Sequence, residues 1–79
     1  MSLIQTLDTL KSGQKARVVE VRGGWGLRQK LSEMGILPGQ VIFVTSSSAW
    51  RGPVRVQIRS NDVALGRGVA RKVLVEVVP

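Results

Sequence analysis

The sequence predicts a mainly β fold: a small SH3-like barrel of about five strands with one inserted α-helix and a short N-terminal helical turn, forming one domain over residues 1–79. Three observations predict it. Short runs rich in β-branched residues recur at close spacing, one window alone carries the helical apolar period, and glycines stand at the corners between them. Closing such strands into a barrel removes sheet edges that so short a chain has little other means to protect. An OB-fold is the nearest alternative, with strands expected to run longer.

Each element follows in order. In TLDTLKSGQ, Leu7 and Leu10 stand three apart before Gly13, which suits one helical turn laid across a core and stopped by a glycine. ARVVEVR, residues 16–22, reads as a strand with Val19 and Val21 on one face and Glu20 and Arg22 on the other. Within GGWGLRQKLSEMGILPG, residues 23–39, Leu27, Leu31 and Met34 fall at i, i+4 and i+7, one face of an amphipathic helix of about ten residues. Gly35 stands where a left-handed cap is needed, and Pro38-Gly39 fits the centre of a type II turn into the strand QVIFVTS.

A polar loop, SSSAWRG, then carries Trp50 and Arg51. PVRVQIRS alternates, with Val54, Val56 and Ile58 on one face and Arg55, Gln57 and Arg59 on the other. Asn61-Asp62 supplies a turn, VAL a short strand and GRGVAR a tight connection. KVLVEVV closes the sheet with Val73, Val75 and Val77 inward.

Composition bounds the function. A chain of 79 residues buries only roughly 60% of its unfolded surface, so no large active-site cleft is expected. There is no Cys and no His, which removes disulfides and the usual thiolate and imidazole metal ligands. Neither a signal peptide nor an apolar run long enough to span a membrane is present, and the expected compartment is the cytoplasm. Twelve Lys and Arg against five Asp and Glu give a net charge of +7, a surface that attracts polyanions, anionic lipid or an acidic protein face.

Catalytic and cofactor chemistry find little support. GGWGLRQK has Gln29 where a dinucleotide fingerprint needs its third glycine, and it lacks the lysine-hydroxyl ending of a P-loop. The glycines there are expected to form a strand-to-helix corner and let the helix pack closely on the sheet. Asp8, Glu20, Glu33, Asp62 and Glu76 show no ligand spacing, so no metal site and no cofactor are expected. Without His, a Ser or Thr nucleophile lacks its usual base, and the protein is expected not to be an enzyme.

One stretch has a binding character. WRGPVRVQIRS joins Trp50 to Arg51, Arg55 and Arg59, residue types suited to phosphate or carboxylate contacts. A solvated strand face is the plainer reading, and a single aromatic is sparse for stacking on bases.

With these elements in order, LDTLKSGQKARVVEV, LRQKLSEMGILPGQVIFV, RGPVRVQI and VALGRGVARKVLVEVV together resemble the FeoA family of small SH3-like proteins of bacterial ferrous iron transport. The most specific part is Leu31 with EMGILPG at residues 33–39, followed by Gly52-Pro53, Ala64-Leu65 and Ala70. The resemblance implies a non-catalytic cytoplasmic accessory protein that binds and modulates a membrane GTPase ferrous iron transporter. It would be held at the inner membrane only through that partner's cytoplasmic part. Around the turn after Ala64-Leu65 the family often carries charge, whereas here Gly66, Gly68 and Val69 leave Arg67. The partner-binding residues expected on this reading are Trp50, Arg51, Arg55 and Arg59, then Arg28 and Lys30 on the helix, and Arg67. A weak homo-oligomer is compatible with it, a sequence-specific nucleic-acid partner is not expected, and the alternative function is a basic barrel that binds nucleic acid non-specifically.

Overall fold

The computed structural model describes residues 3–47 and 52–79, so Trp50 and Arg51 lie outside the described residues. Along the chain, β1 (Ile4–Thr6) leads into a 3-10 turn (Leu7–Thr9), β2 (Lys15–Val21), α1 (Trp25–Glu33), β3 (Val41–Ser47), β4 (Val54–Ile58), β5 (Asn61–Leu65), α2 (Arg67–Ala70) and β6 (Val73–Val78). The strands form one antiparallel sheet in the order β1-β6-β2-β3-β4-β5, which wraps a single core as an SH3-like barrel. Leu7 and Leu10 from the 3-10 turn, Leu31 from α1 and Ile36 behind it join the inward valines of the strands.

The sheet has six strands where about five are expected. The additional one, β1, is three residues long, too short to display a period, and Ile4 is exposed while Gln5 and Thr6 are half-buried, so no alternation marks it. The expected inward pair on β2 also changes. Val18 is 1% exposed and Val21 is buried, whereas Val19 is 38% exposed. A β-bulge between Val18 and Glu20 is the cause: Val18 faces Val75 and Glu20 faces Leu74, leaving Val19 as the additional residue turned outward. A second bulge lies between Val44 and Ser46, where the Thr45 hydroxyl donates to the Arg55 carbonyl at 3.2 Å. Bulges increase local twist and bend, which a small sheet needs in order to curl onto itself.

The expected Asn61-Asp62 turn sits two residues earlier. Ile58 pairs with Asn61, so Arg59 and Ser60 form the two-residue loop, and Asn61 and Asp62 open β5. Arg59 takes φ 59, a left-handed conformation that glycine or asparagine adopts more cheaply.

Helix α1 ends as its sequence requires. The Gly35 amide donates to the Ser32 carbonyl at 3.0 Å and the Ile36 amide to the Leu31 carbonyl at 2.9 Å, the paired bonds of a Schellman cap. Gly35 has φ +94, and a Cβ built there would stand 2.8 Å from the Ile58 side chain, so the position demands glycine on both grounds. The Pro38-Gly39 turn follows, with the Gln40 amide bonded to the Leu37 carbonyl at 3.1 Å and the Gly39 amide to the Val18 carbonyl at 2.8 Å. These bonds fasten the end of α1 to β2 and set the angle at which the helix leaves its outer face open.

Candidate docking surface

The apolar stripe fixes how α1 lies. Leu31 is fully buried, Leu27 and Met34 pack against the core, and Arg28, Gln29, Lys30, Ser32 and Glu33 remain exposed. At 100° per residue Trp25 falls nearly opposite that stripe, and it is 73% exposed. The sequence holds this signal, since the helical period that selects Leu27, Leu31 and Met34 excludes Trp25 from the core. Trp25 is not among the expected binding residues, where Trp50 stands as the aromatic anchor.

Two grooves lie along α1. The larger, about 570 Å³, is bounded by Glu20 and Val21 of β2, by Trp25, Arg28 and Gln29 of α1, and by Leu37 and Pro38 of the turn. The smaller, about 220 Å³, runs from Glu33 and Met34 to Arg59 and Asn61 at the β4–β5 turn. Ser32 and Leu37 line both, so the two grooves adjoin, with Arg28 lining the larger and Arg59 the smaller.

The remaining expected residues disperse. Arg55 is exposed on the outer face of β4, opposite Ser46 and Ala64 on the neighbouring strands. Arg59 belongs to the turn, because the alternation of β4 stops at Ile58. Arg67 opens α2 half-buried: its Nη1 donates to the Asp8 carbonyl at 3.3 Å, and its Nε and Nη2 are buried with no hydrogen-bond partner among the described residues. Arg71 approaches the Asp8 carboxylate at 3.6 Å, so the two arginines clasp α2 to the 3-10 turn. Of the strand-to-helix glycines, Gly23 alone has a positive φ, 118, and a Cβ there would meet Leu27 at 3.0 Å. A Cβ on Gly24 or Gly26 would meet nothing within 4 Å. The positive φ and the closeness of Leu27 therefore explain Gly23 as the strand-to-helix corner, whereas helix-on-sheet packing accounts for neither Gly24 nor Gly26.

Charge is unevenly committed. Among the described residues Arg17 pairs with Glu76 at 3.7 Å, Arg22 with Glu20 at 3.6 Å and Arg71 with Asp8 at 3.6 Å. Arg28, Lys30, Arg55 and Arg59 take part in none of these pairs, so the α1 surface and the outer face of β4 hold surplus positive charge. Among the described residues no three Asp or Glu side chains gather as a metal-holding group, and no helix is long and apolar enough to cross a membrane.

Comparison with known proteins accords with this architecture. A protein of Methanocaldococcus jannaschii, provisionally named Fe(2+) transport protein A, is 35% identical over 66 residues, spanning 84% of this chain and 78% of that protein. A Porphyromonas gingivalis protein that fuses Fe(2+) transport protein A to the Fe(2+) transporter FeoB is 35% identical over 72 residues. That match spans 91% of this chain and 8% of the fusion. A crystal structure of an iron uptake regulatory protein, FeoA, superposes with a TM-score of 0.90 at 34% identity, covering 96% of this chain and all of that one. Residues 5–77 match the FeoA domain, and the chain belongs to the FeoA family.

Proposed function

We propose that this protein is a non-catalytic accessory of a ferrous iron transporter, which it binds and modulates through the transporter's cytoplasmic part. The observation that carries this reading is the fused relative, in which the same domain is covalently joined to a FeoB transporter. Fusion supplies a high effective concentration, an arrangement suited to two parts that act together. The composition favours a binding role, because a chain without His or Cys lacks the usual general base and thiol nucleophile. The docking residues on this reading are Arg28, Lys30 and Arg59 around α1, Arg55 on β4, Trp50 and Arg51 in the sequence between β3 and β4, and Arg67 in the smaller share its clasp leaves free.

Titration calorimetry against the purified non-membrane domain of the cognate transporter tests the reading. Saturable one-to-one binding at about 0.15 M salt is expected, and its absence at tens of micromolar would remove the docking function. A second reading rests on the net charge of +7. Counterion release should give DNA binding at low salt, without sequence preference and falling steeply as salt rises. A sequence-selective complex that survives physiological salt would put nucleic acid first.

A further inference from the structure

We infer that the groove beside α1 seats a short acidic segment of the transporter's non-membrane part, with Trp25 and Leu37 gripping an apolar side chain and Arg28 meeting a carboxylate. The inference rests on the accessory reading and adds to it the surface and the chemistry of what fills it.

Trp25 is the first reason. An indole carries a large apolar area, and in this fold it lies outside the core cluster, 73% exposed at the start of a helix whose opposite face is buried. It does not stand alone. Leu37, 40% exposed, lines the same concavity, with Pro38 next to it in sequence. Apolar side chains lining an open groove of about 570 Å³ fit an inserted side chain better than a flat contact.

Charge identifies the occupant. Two ionic side chains line the groove, Glu20 and Arg28. Glu20 already stands 3.6 Å from Arg22, whereas Arg28 is in no ion pair among the described residues. The unmatched charge at the groove is therefore positive, on a chain whose net charge is +7. A partner segment with a carboxylate beside its apolar anchor complements both features.

The same facts argue against two other occupants. A second copy of this chain brings another +7, and three of its five carboxylates, Asp8, Glu20 and Glu76, already stand beside arginines, which leaves only Glu33 and Asp62 to meet Arg28. An anionic lipid surface is broad, whereas among the described residues the other exposed large apolar side chains are divided among the strands, Leu3 and Ile4 at β1, Val19 on β2 and Phe43 on β3. Ile4 faces Glu76 on β6, three residues along that strand from Val73, which faces Val21 at the corner where α1 begins. Trp25 shares its groove with Leu37 and with none of Leu3, Ile4, Val19 and Phe43.

The experiment compares affinities of the full chain and its variants for the transporter's non-membrane domain by calorimetry. Trp25→Ala should weaken binding tenfold or more with an unchanged melting temperature. Arg28→Glu should weaken it severalfold, with a loss that grows as salt is lowered, while Lys11→Glu, the same charge change away from the groove, should leave affinity far less altered. Binding by wild type that is undiminished in Trp25→Ala and Arg28→Glu overturns the groove and leaves the accessory reading standing. Failure of wild type to bind overturns both. Sedimentation with phosphatidylglycerol vesicles that depends on Trp25 at about 0.15 M salt would assign the indole to a membrane surface instead. Trp25-dependent dimerisation in sedimentation velocity would assign it to a second copy. Should Trp25→Ala melt lower, Leu37→Ala and Arg28→Glu carry the comparison, and full affinity in both overturns the inference.

Discussion

The two helices each carry an arginine close behind a glycine, and they use it in opposite ways. In α1, Arg28 is exposed at the rim of a groove; in α2, Arg67 is half-buried and bonded to the Asp8 carbonyl. Length is the physical reason. Nine residues give α1 room for Leu27, Leu31 and Met34 to anchor it, with a Schellman cap to finish it, so its polar face is free for other uses. Four residues give α2 Ala70 as its one fully buried side chain, and polar contacts from Arg67 and Arg71 to Asp8 supplement that small anchor. Positive charge in a sequence thus becomes available charge where apolar contacts alone hold the element in place.

Four variant sets would break or sharpen that contrast, and their effects decrease in order. Leu31→Ala removes the main anchor of α1 and should cost about 2–5 kcal/mol, read as a fall in melting temperature of roughly 4–8 °C per kcal/mol. A cost below about 1 kcal/mol would mean that α1 is not held by its apolar stripe. Gly35→Ala attacks the cap, since φ +94 and an Ile58 carbon at 2.8 Å both oppose a Cβ; about 2–4 kcal/mol should be lost in urea unfolding.

The arginines test the contrast directly. Arg67→Ala should lower stability by about 1 kcal/mol by releasing the clasp, whereas Arg28→Ala should change it by less than about 0.5 kcal/mol. If the two variants melt together, the difference between the helices is one of appearance. Smallest are Gly26→Ala and Gly68→Ala, where an added Cβ meets nothing within 4 Å; each should gain about 0.5 kcal/mol by lowering the entropy of the unfolded chain. A loss at Gly26 alone would reveal a constraint specific to α1.

How far the sequence could be read depended on whether neighbouring residues differ in character. β4 is legible because valine and isoleucine alternate with arginine and glutamine, and its burial follows that alternation without exception. The end of α1 is legible because Gly35 and Pro38-Gly39 have few other uses. β2 is not, since two adjacent valines make either face plausible and the bulge that chooses Val18 over Val19 depends on pairing with β6. The turn at Arg59-Ser60 is hidden for a related reason. Asn61-Asp62 has the better turn chemistry, yet the register between β4 and β5 places the strained residue at Arg59. At the surface, the helical period already separates Trp25 from the core. The placement of Trp25 and Arg59 in two grooves that share Leu37 could not be read, because β2, the Pro38-Gly39 turn and the β4–β5 hairpin are brought beside α1 only by folding.

The bulge in β2 gives that strand one residue of slack. Losing a residue from a regular strand shifts the frame, and every later side chain exchanges inside for outside. Removing Arg55 from β4 would do this, sending Val56 to solvent. Removing Val19 would not: Ala16, Val18 and Val21 would keep their inward places, with Arg17 and Glu20 outward, and the loss would fall on curvature alone. Between two deletions of equal length, the Val19 chain should still melt cooperatively and the Arg55 chain should not. The strand can be shortened by one residue at that point and at little other cost to its pattern, so β2 carries its own tolerance for a gap.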